Sequence, residues 1–175
     1  MTFDLDQLRA YVATHGHVAR VVVASTAGSA PREAGTAMFV WDKGQAGTIG
    51  GGRLEYEAAE QARKQTQSAL VRTVPLGPSL GQCCGGSVTL VTEVFDAETL
   101  PSSVPYARQI GPSTGKAPET DGFYWGNGWL VEHAPRTLRN IWIYGAGHVG
   151  RALVDVLAPL PDVDITWVDS AMTRF

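Results

Sequence analysis

Three glycine-rich loops hold most of the residue types in this chain that could do chemistry. Gly50, Gly51 and Gly52 lead straight into a helical pattern. Free backbone N–H groups and the positive end of the helix dipole make such a turn an anion site, and Arg53 adds a mobile cation. In the loop from Gly28 to Gly35, Arg32 stands between Pro31 and a glycine. That mount suits a bidentate contact to phosphate or carboxylate. Gly81-Gln82-Cys83-Cys84-Gly85-Gly86 places two thiols among backbone donors, a setting that favours the thiolate. Adjacent cysteines are poor joint ligands for a tetrahedral metal, and His15, His17, His133 and His148 show no metal-binding spacing. The plain alternative for each loop is a tight turn with a surface arginine and cysteines packed as small apolar residues. No serine–histidine–acid set or paired carboxylates stand out. The chain offers anion cradles and thiols, not acid–base machinery.

A fourth glycine turn, Gly145-Ala146-Gly147-His148-Val149-Gly150, follows the apolar run Ile141–Tyr144, which reads as a buried strand. Arg151–Leu157 continues at helical spacing, and Ile165–Val168 reads as a second strand ending at Asp169. In a nucleotide-binding turn of this kind Gly145 makes the tight bend, Gly147 admits a pyrophosphate and Gly150 packs helix on strand. Asp169 stands where a ribose-binding acid belongs. One crossover unit fits before the sequence stops, so this part reads as the start of a Rossmann-type domain, apparently truncated. Its open sheet edge calls for a second chain or a neighbouring domain, hence a dimer or larger homo-oligomer.

The elements that must position these loops are legible in outline. Phe3–Ala13 carries Phe3, Leu5, Leu8 and Val12 at helical spacing, with Asp4 or Thr2 near its start. Strands are expected at Val18–Ser25, Thr36–Trp41, Ala46–Ile49, Val71–Leu76 and Ser87–Phe95. The best helix spans Leu54–Leu70, where Leu54, Ala58, Ala62 and Ala69 trace a small-residue face. Residues 96–122 are rich in proline, serine and glycine without a period and read as an inter-domain linker. Phe123–Val131 reads as a hairpin turning at Asn127-Gly128. The expected fold class is α/β. A mixed α+β domain would cover residues 1–100, a linker and hairpin 101–137, and the first, incomplete βαβ unit 138–175.

A hydrophobic fraction of 44% supports real cores, and a net charge of −3 argues against a nucleic-acid or acidic-membrane surface. The first ten residues lack the apolar centre of a signal peptide. Val18–Ala24, the most apolar stretch, is interrupted by Arg20 and is too short to span a membrane. Two neighbouring cysteines cannot staple distant segments, which fits a reducing, cytoplasmic setting.

Taken in order, Gly28-Ser29-Ala30-Pro31-Arg32, Gly47-Thr48-Ile49-Gly50-Gly51-Gly52 with Leu54-Glu55, the Gly81–Gly86 loop and the Gly145–Gly150 turn resemble the XdhC/CoxI family. The resemblance implies a molybdenum-cofactor chaperone with no turnover of its own. Such a protein binds molybdopterin and protects it while a cysteine desulfurase supplies the terminal sulfido ligand. It then delivers the cofactor to apo-xanthine dehydrogenase. Molybdopterin carries a phosphate and a dithiolene-bound metal; Arg32, Gly50–Arg53 and Cys83 or Cys84, as a molybdenum contact, supply matching types. One helix-terminus contact contributes about 0.3–1 kcal/mol, whereas micromolar binding needs about −8 kcal/mol, so several loops must converge. The first alternative is an NAD(P)-dependent oxidoreductase built on Gly145, Gly147, Gly150 and Asp169, for which no catalytic acid or base is visible. The second is a non-catalytic interaction scaffold whose glycine loops are only turns. Neither a nucleic-acid nor a membrane partner is expected.

Overall fold

Asp4 starts the first helix, α1 (Leu5–His15), by accepting a 2.9 Å hydrogen bond from the Gln7 N–H. Gly16 ends it at φ +76°, a conformation glycine adopts without steric cost. The computed structural model describes residues 3–77, 85–113, 115–134, 139–160 and 163–174. The chain divides into two compact units, Met1–Ala134 and Pro135–Phe175.

In the first unit, β1 (Val18–Ala27), β2 (Ala37–Trp41), β3 (Gly44–Gly47), β4 (Ala69–Pro75) and β5 (Ser87–Phe95) form one sheet in the order β3-β2-β1-β5-β4. Every pairing in it is antiparallel. The alternation of β1 divides its side chains between two cores. Ala19, Val21 and Val23 meet Leu54, Ala58, Ala59 and Ala62 of the second helix, α2 (Gly52–Arg63). On the other face, Val18 joins Leu5, Leu8 and Val12 of α1, while Val22 and Ala24 pack with Val91 and Leu130. Leu130 belongs to a smaller antiparallel sheet, β6 (Tyr106–Gln109), β7 (Tyr124–Gly126) and β8 (Trp129–Glu132), ordered β6-β8-β7. Its β7–β8 turn carries Asn127 at φ 47° and Gly128 at φ 77°, the paired positive values that an Asn-Gly hairpin expects.

The two sheets are tied by buried charge. Arg20 of β1 donates twice to Glu132 of β8, at 2.7 and 2.8 Å, and each side chain is 2% exposed. Arg108 of β6 donates to Glu132 at 2.6 Å and pairs with Glu93 of β5. Burial alone would push the Glu132 carboxyl up, but the Arg20 and Arg108 guanidinium groups outweigh it and hold it below the usual carboxylate range. Phe3 lies 4.8 Å from the Arg20 guanidinium, so the cation also has an aromatic face beside it.

Three expectations need correction here. Residues 96–122 are not simply a linker, because β6 lies within them and pairs with β8. Its Arg108 binds Glu93, so the segment through Ala134 is part of the first unit. The second helix ends at Arg63 rather than Leu70. Lys64 to Ser68 offer no apolar position to extend its stripe, and Ala69 and Leu70 pair instead with Glu93 and Thr92 of β5. The run Ile141–Tyr144 is not buried throughout: Trp142 is 58% and Tyr144 75% exposed.

The second unit is a parallel β–α–β turn of β9 (Arg139–Tyr144), α3 (His148–Leu157) and β10 (Val163–Val168). Ile141 pairs with Ile165 and Ile143 with Trp167. With one helix for two parallel strands, this unit shows Val149, Leu153 and Val156 to solvent as well as Trp142 and Tyr144.

Candidate functional site

The Gly28 and Gly50 loops and the described stems of the Gly81–Gly86 loop meet at one end of the five-stranded sheet. Ala27, where β1 gives way to the Gly28 loop, pairs with Ser87, where β5 begins. Beside it the Gly86 N–H donates to the Ser29 carbonyl at 3.2 Å, and the Gly86 carbonyl accepts from Leu76 N–H at 2.7 Å. A Cβ at Gly86 would collide with the carbonyl oxygens of Ala27 and Ser29, so only glycine permits this approach. A Cβ at Gly50, which sits at φ +127°, would fall 2.6 Å from Cγ of Pro31. The Gly28 loop thus touches both others.

Arg32 is exposed at this junction, with its Cγ 3.7 Å from where a Gly50 Cβ would stand. Among the described residues it has no ion pair or side-chain hydrogen bond, Glu33 included. Arg53 is differently placed: it donates to Glu57 at 2.6 Å along its own helix and is 61% exposed. Cys83 and Cys84 lie outside the described residues, although Leu76 and Gly86 fix the stems of their loop at the junction.

The glycine cradle itself is partly filled from within. One oxygen of Glu55 accepts from Thr48 Oγ1 at 2.5 Å and from the N–H groups of Ile49 and Gly51 at 3.0 Å. The other accepts from Gln45 at 3.0 Å. Gly50 N–H donates to Thr48 Oγ1 at 3.1 Å. The expectation of free backbone N–H groups at this turn is therefore corrected for Gly50 and Gly51. What stays open to an anion is the first turn of α2, which begins at Gly52 and has no side-chain cap.

Burial would raise the Glu55 carboxyl, but hydrogen bonds from Thr48, Gly51, Ile49 and Gln45 outweigh it and lower the pKa. A carboxyl depressed by folding adds stability that is complete above its unfolded pKa and fades as pH falls through the folded one. Glu55→Gln is accordingly expected to lower unfolding stability by about 1.5–3 kcal/mol at pH 7, the value of hydrogen bonds to a charged group. Urea titrations at stepwise lower pH should show that difference shrinking below about pH 4, as the wild-type carboxylate takes up a proton while the amide of the variant does not titrate. An equal gap at pH 7 and pH 3 would remove the carboxylate from this role.

Residues 12–74 match the model of the XdhC and CoxI family. The similarity to that family is confined to this segment, about a third of the chain. The segment contains β1, the Arg32 loop, Gly50–Gly52 and α2, and it stops before the Gly81–Gly86 loop. A crystal structure of a xanthine dehydrogenase from Bacillus halodurans superposes with a TM-score of 0.71 at 17% identity. The match covers 99% of this chain and 64% of that one, so the chain spans less than two thirds of that relative, and the likeness is one of fold. No curated protein matches the sequence significantly. Among the described residues no helix is long and apolar enough to cross a membrane, and no group of three or more His, Cys, Asp or Glu side chains could hold a metal ion.

Beyond the XdhC and CoxI segment, the glycines of the turn in the second unit differ in conformation and surroundings. Gly145 takes φ +100°. A Cβ at Gly147 would meet nothing within 4 Å, whereas one at Gly150 would collide with the Gly145 carbonyl oxygen. Asp169 is engaged with the turn itself. It accepts from Ala146 N–H at 2.6 Å and Ala171 N–H at 2.8 Å, and Arg174 stands 3.5 Å away. Those two N–H groups, with Arg174 adding to them, hold its carboxyl below the usual range. An acid in that position buttresses the glycine turn.

Sequence reasoning missed the role of Glu55 and the charged set Arg20, Glu93, Arg108 and Glu132. A charged residue amid a β-branched run was a usable signal, since a buried arginine needs a carboxylate partner.

Proposed function

We propose that this chain binds molybdopterin in xanthine dehydrogenase maturation. On this reading it holds the cofactor while a cysteine desulfurase supplies the sulfido ligand, then passes it to the apo-enzyme. The observation that carries the reading is the meeting of the Gly28, Gly50 and Gly86 loop stems at one sheet end. Two of those loops lie inside the family-matched segment. The residues there fit the group. Arg32 and the uncapped first turn of α2 would hold the phosphate, and a thiol of Cys83 or Cys84 would supply a soft contact for molybdenum. Glu55 occupies the N–H groups of Ile49 and Gly51, so the phosphate would be held beside that cradle, not in it. When bound, the molybdenum centre brings redox chemistry; the chain's own residues bind, orient and shield it, with no turnover step.

The test is co-purification. Protein expressed in a cofactor-producing host should carry molybdenum and release a fluorescent pterin on oxidation. The Cys83→Ala/Cys84→Ala double variant should keep its far-UV circular dichroism and lose most of both. Unchanged stoichiometry in the double variant would rule out the thiols, and absence of pterin from the wild type would remove the reading.

A second reading rests on the open approach at Gly147 and the uncapped start of α3. There the second unit takes the pyrophosphate of NAD(P) at Gly145, Gly147 and Gly150. Quenching of NADH fluorescence by the protein, lost in Gly147→Val, would support it.

A further inference from the structure

We infer that the outer face of the three-stranded sheet carries a separate binding site for a planar aromatic anion. A cavity of about 590 Å³ opens there, within the range of small-molecule sites. It is lined by Tyr124 and Trp129 from neighbouring strands, by the amides of Gln109 and Asn127, and by Ser113 and Lys116. The strand register explains the grouping. Gly126 pairs with Trp129 and Gln109 pairs with Trp129, so Tyr124, Gly126, Gln109 and Trp129 share one face. Trp125 and Leu130 take the opposite face and pack toward β1.

The cavity is held open by backbone rather than by chance packing. Ile110 and Gly111 N–H groups both donate to the Gly128 carbonyl, at 2.8 and 3.1 Å. A Cβ at Gly128 would fall 2.5 Å from the Pro112 carbonyl oxygen, which pins the covering segment to the hairpin turn. Trp129 Nε1 donates to Ser113 Oγ at 2.9 Å, fixing the indole plane. Gly126 leaves room for the Tyr124 ring, whose hydroxyl would lie 2.8 Å from a Cβ there. Two aromatic rings offer stacking surface for a flat ligand. Lys116 has no carboxylate partner among the described residues and supplies the positive charge, while the amides can reach polar ring edges. None of these residues belongs to the three-loop junction, so the inference stands apart from the function proposed above.

The experiment is isothermal titration of the 175-residue chain with 1-naphthyl phosphate, 1-naphthol and inorganic phosphate. Naphthyl phosphate should bind saturably at one site, more tightly than naphthol, with inorganic phosphate undetectable. Lys116→Met, an exposed position, should weaken binding about tenfold or more, and Tyr124→Leu should weaken it for naphthol as well. The same order of affinities should hold in Arg32→Ala, which takes the arginine of the three-loop junction out of the measurement. Absence of saturable binding, equal binding by Lys116→Met, equal binding of inorganic phosphate, or loss in Arg32→Ala would each overturn the site.

Discussion

Glu132→Ala is expected to destabilise the first unit by about 3–5 kcal/mol, the range for breaking a buried ion pair from one side. The variant leaves Arg20 buried without a carboxylate and takes from Arg108 one of its two partners. Replacing both Arg20 and Glu132, as Arg20→Met/Glu132→Leu, should cost much less than Glu132→Ala alone. The Arg108–Glu93 pair then remains balanced, and apolar substitutes of similar volume are often tolerated where a buried pair is removed whole. Urea unfolding followed by circular dichroism, run as a double-mutant cycle, measures both. A Glu132→Ala loss under about 1 kcal/mol would mean that water reaches the cluster and screens it.

On the proposed function, Arg32→Ala is expected to weaken molybdopterin binding by one to two orders of magnitude, about 1.5–3 kcal/mol for a charge-assisted contact. Arg32→Lys should recover part of this, because an ammonium keeps the charge without the planar fork. Arg53→Ala should matter less, since Arg53 is already paired with Glu57 along its helix. Direct titration with the purified cofactor ranks the three. If Arg53→Ala weakened binding more than Arg32→Ala, the anion would lie along α2 and away from the loop junction.

The strands were legible where β-branched residues stood between turn signals: Ser87–Phe95 is observed with the expected limits, and Asn127-Gly128 turns as its composition requires. Legibility failed where tertiary pairing decided the outcome. Ala69 suits a helix by propensity, yet a sheet edge took it. β6 is short and sits among prolines and serines, so its pairing with β8 left no periodic trace. The anion-site glycines could be seen, but not that Glu55 turns back from α2 to occupy their donors. That contact follows from three successive positive-φ glycines, a path no local spacing specifies. Arg32 was found because proline and glycine frame it; Arg20 was seen only as an interruption, since its partner lies 112 residues away.

That separation also sets a schedule. At synthesis rates of about 5–20 residues per second, roughly ten seconds pass between the emergence of Arg20 and that of Glu132. During this interval Val18–Ala24, seven residues that will all be buried, is an exposed β-forming segment able to pair with other nascent chains. The unpaired guanidinium in its middle resists such stacking, in the manner of the gatekeeper charges that flank aggregation-prone strands. Only when β8 is delivered does that charge become an internal fastening. An apolar replacement could match the native unit in equilibrium stability and still lose yield on the ribosome.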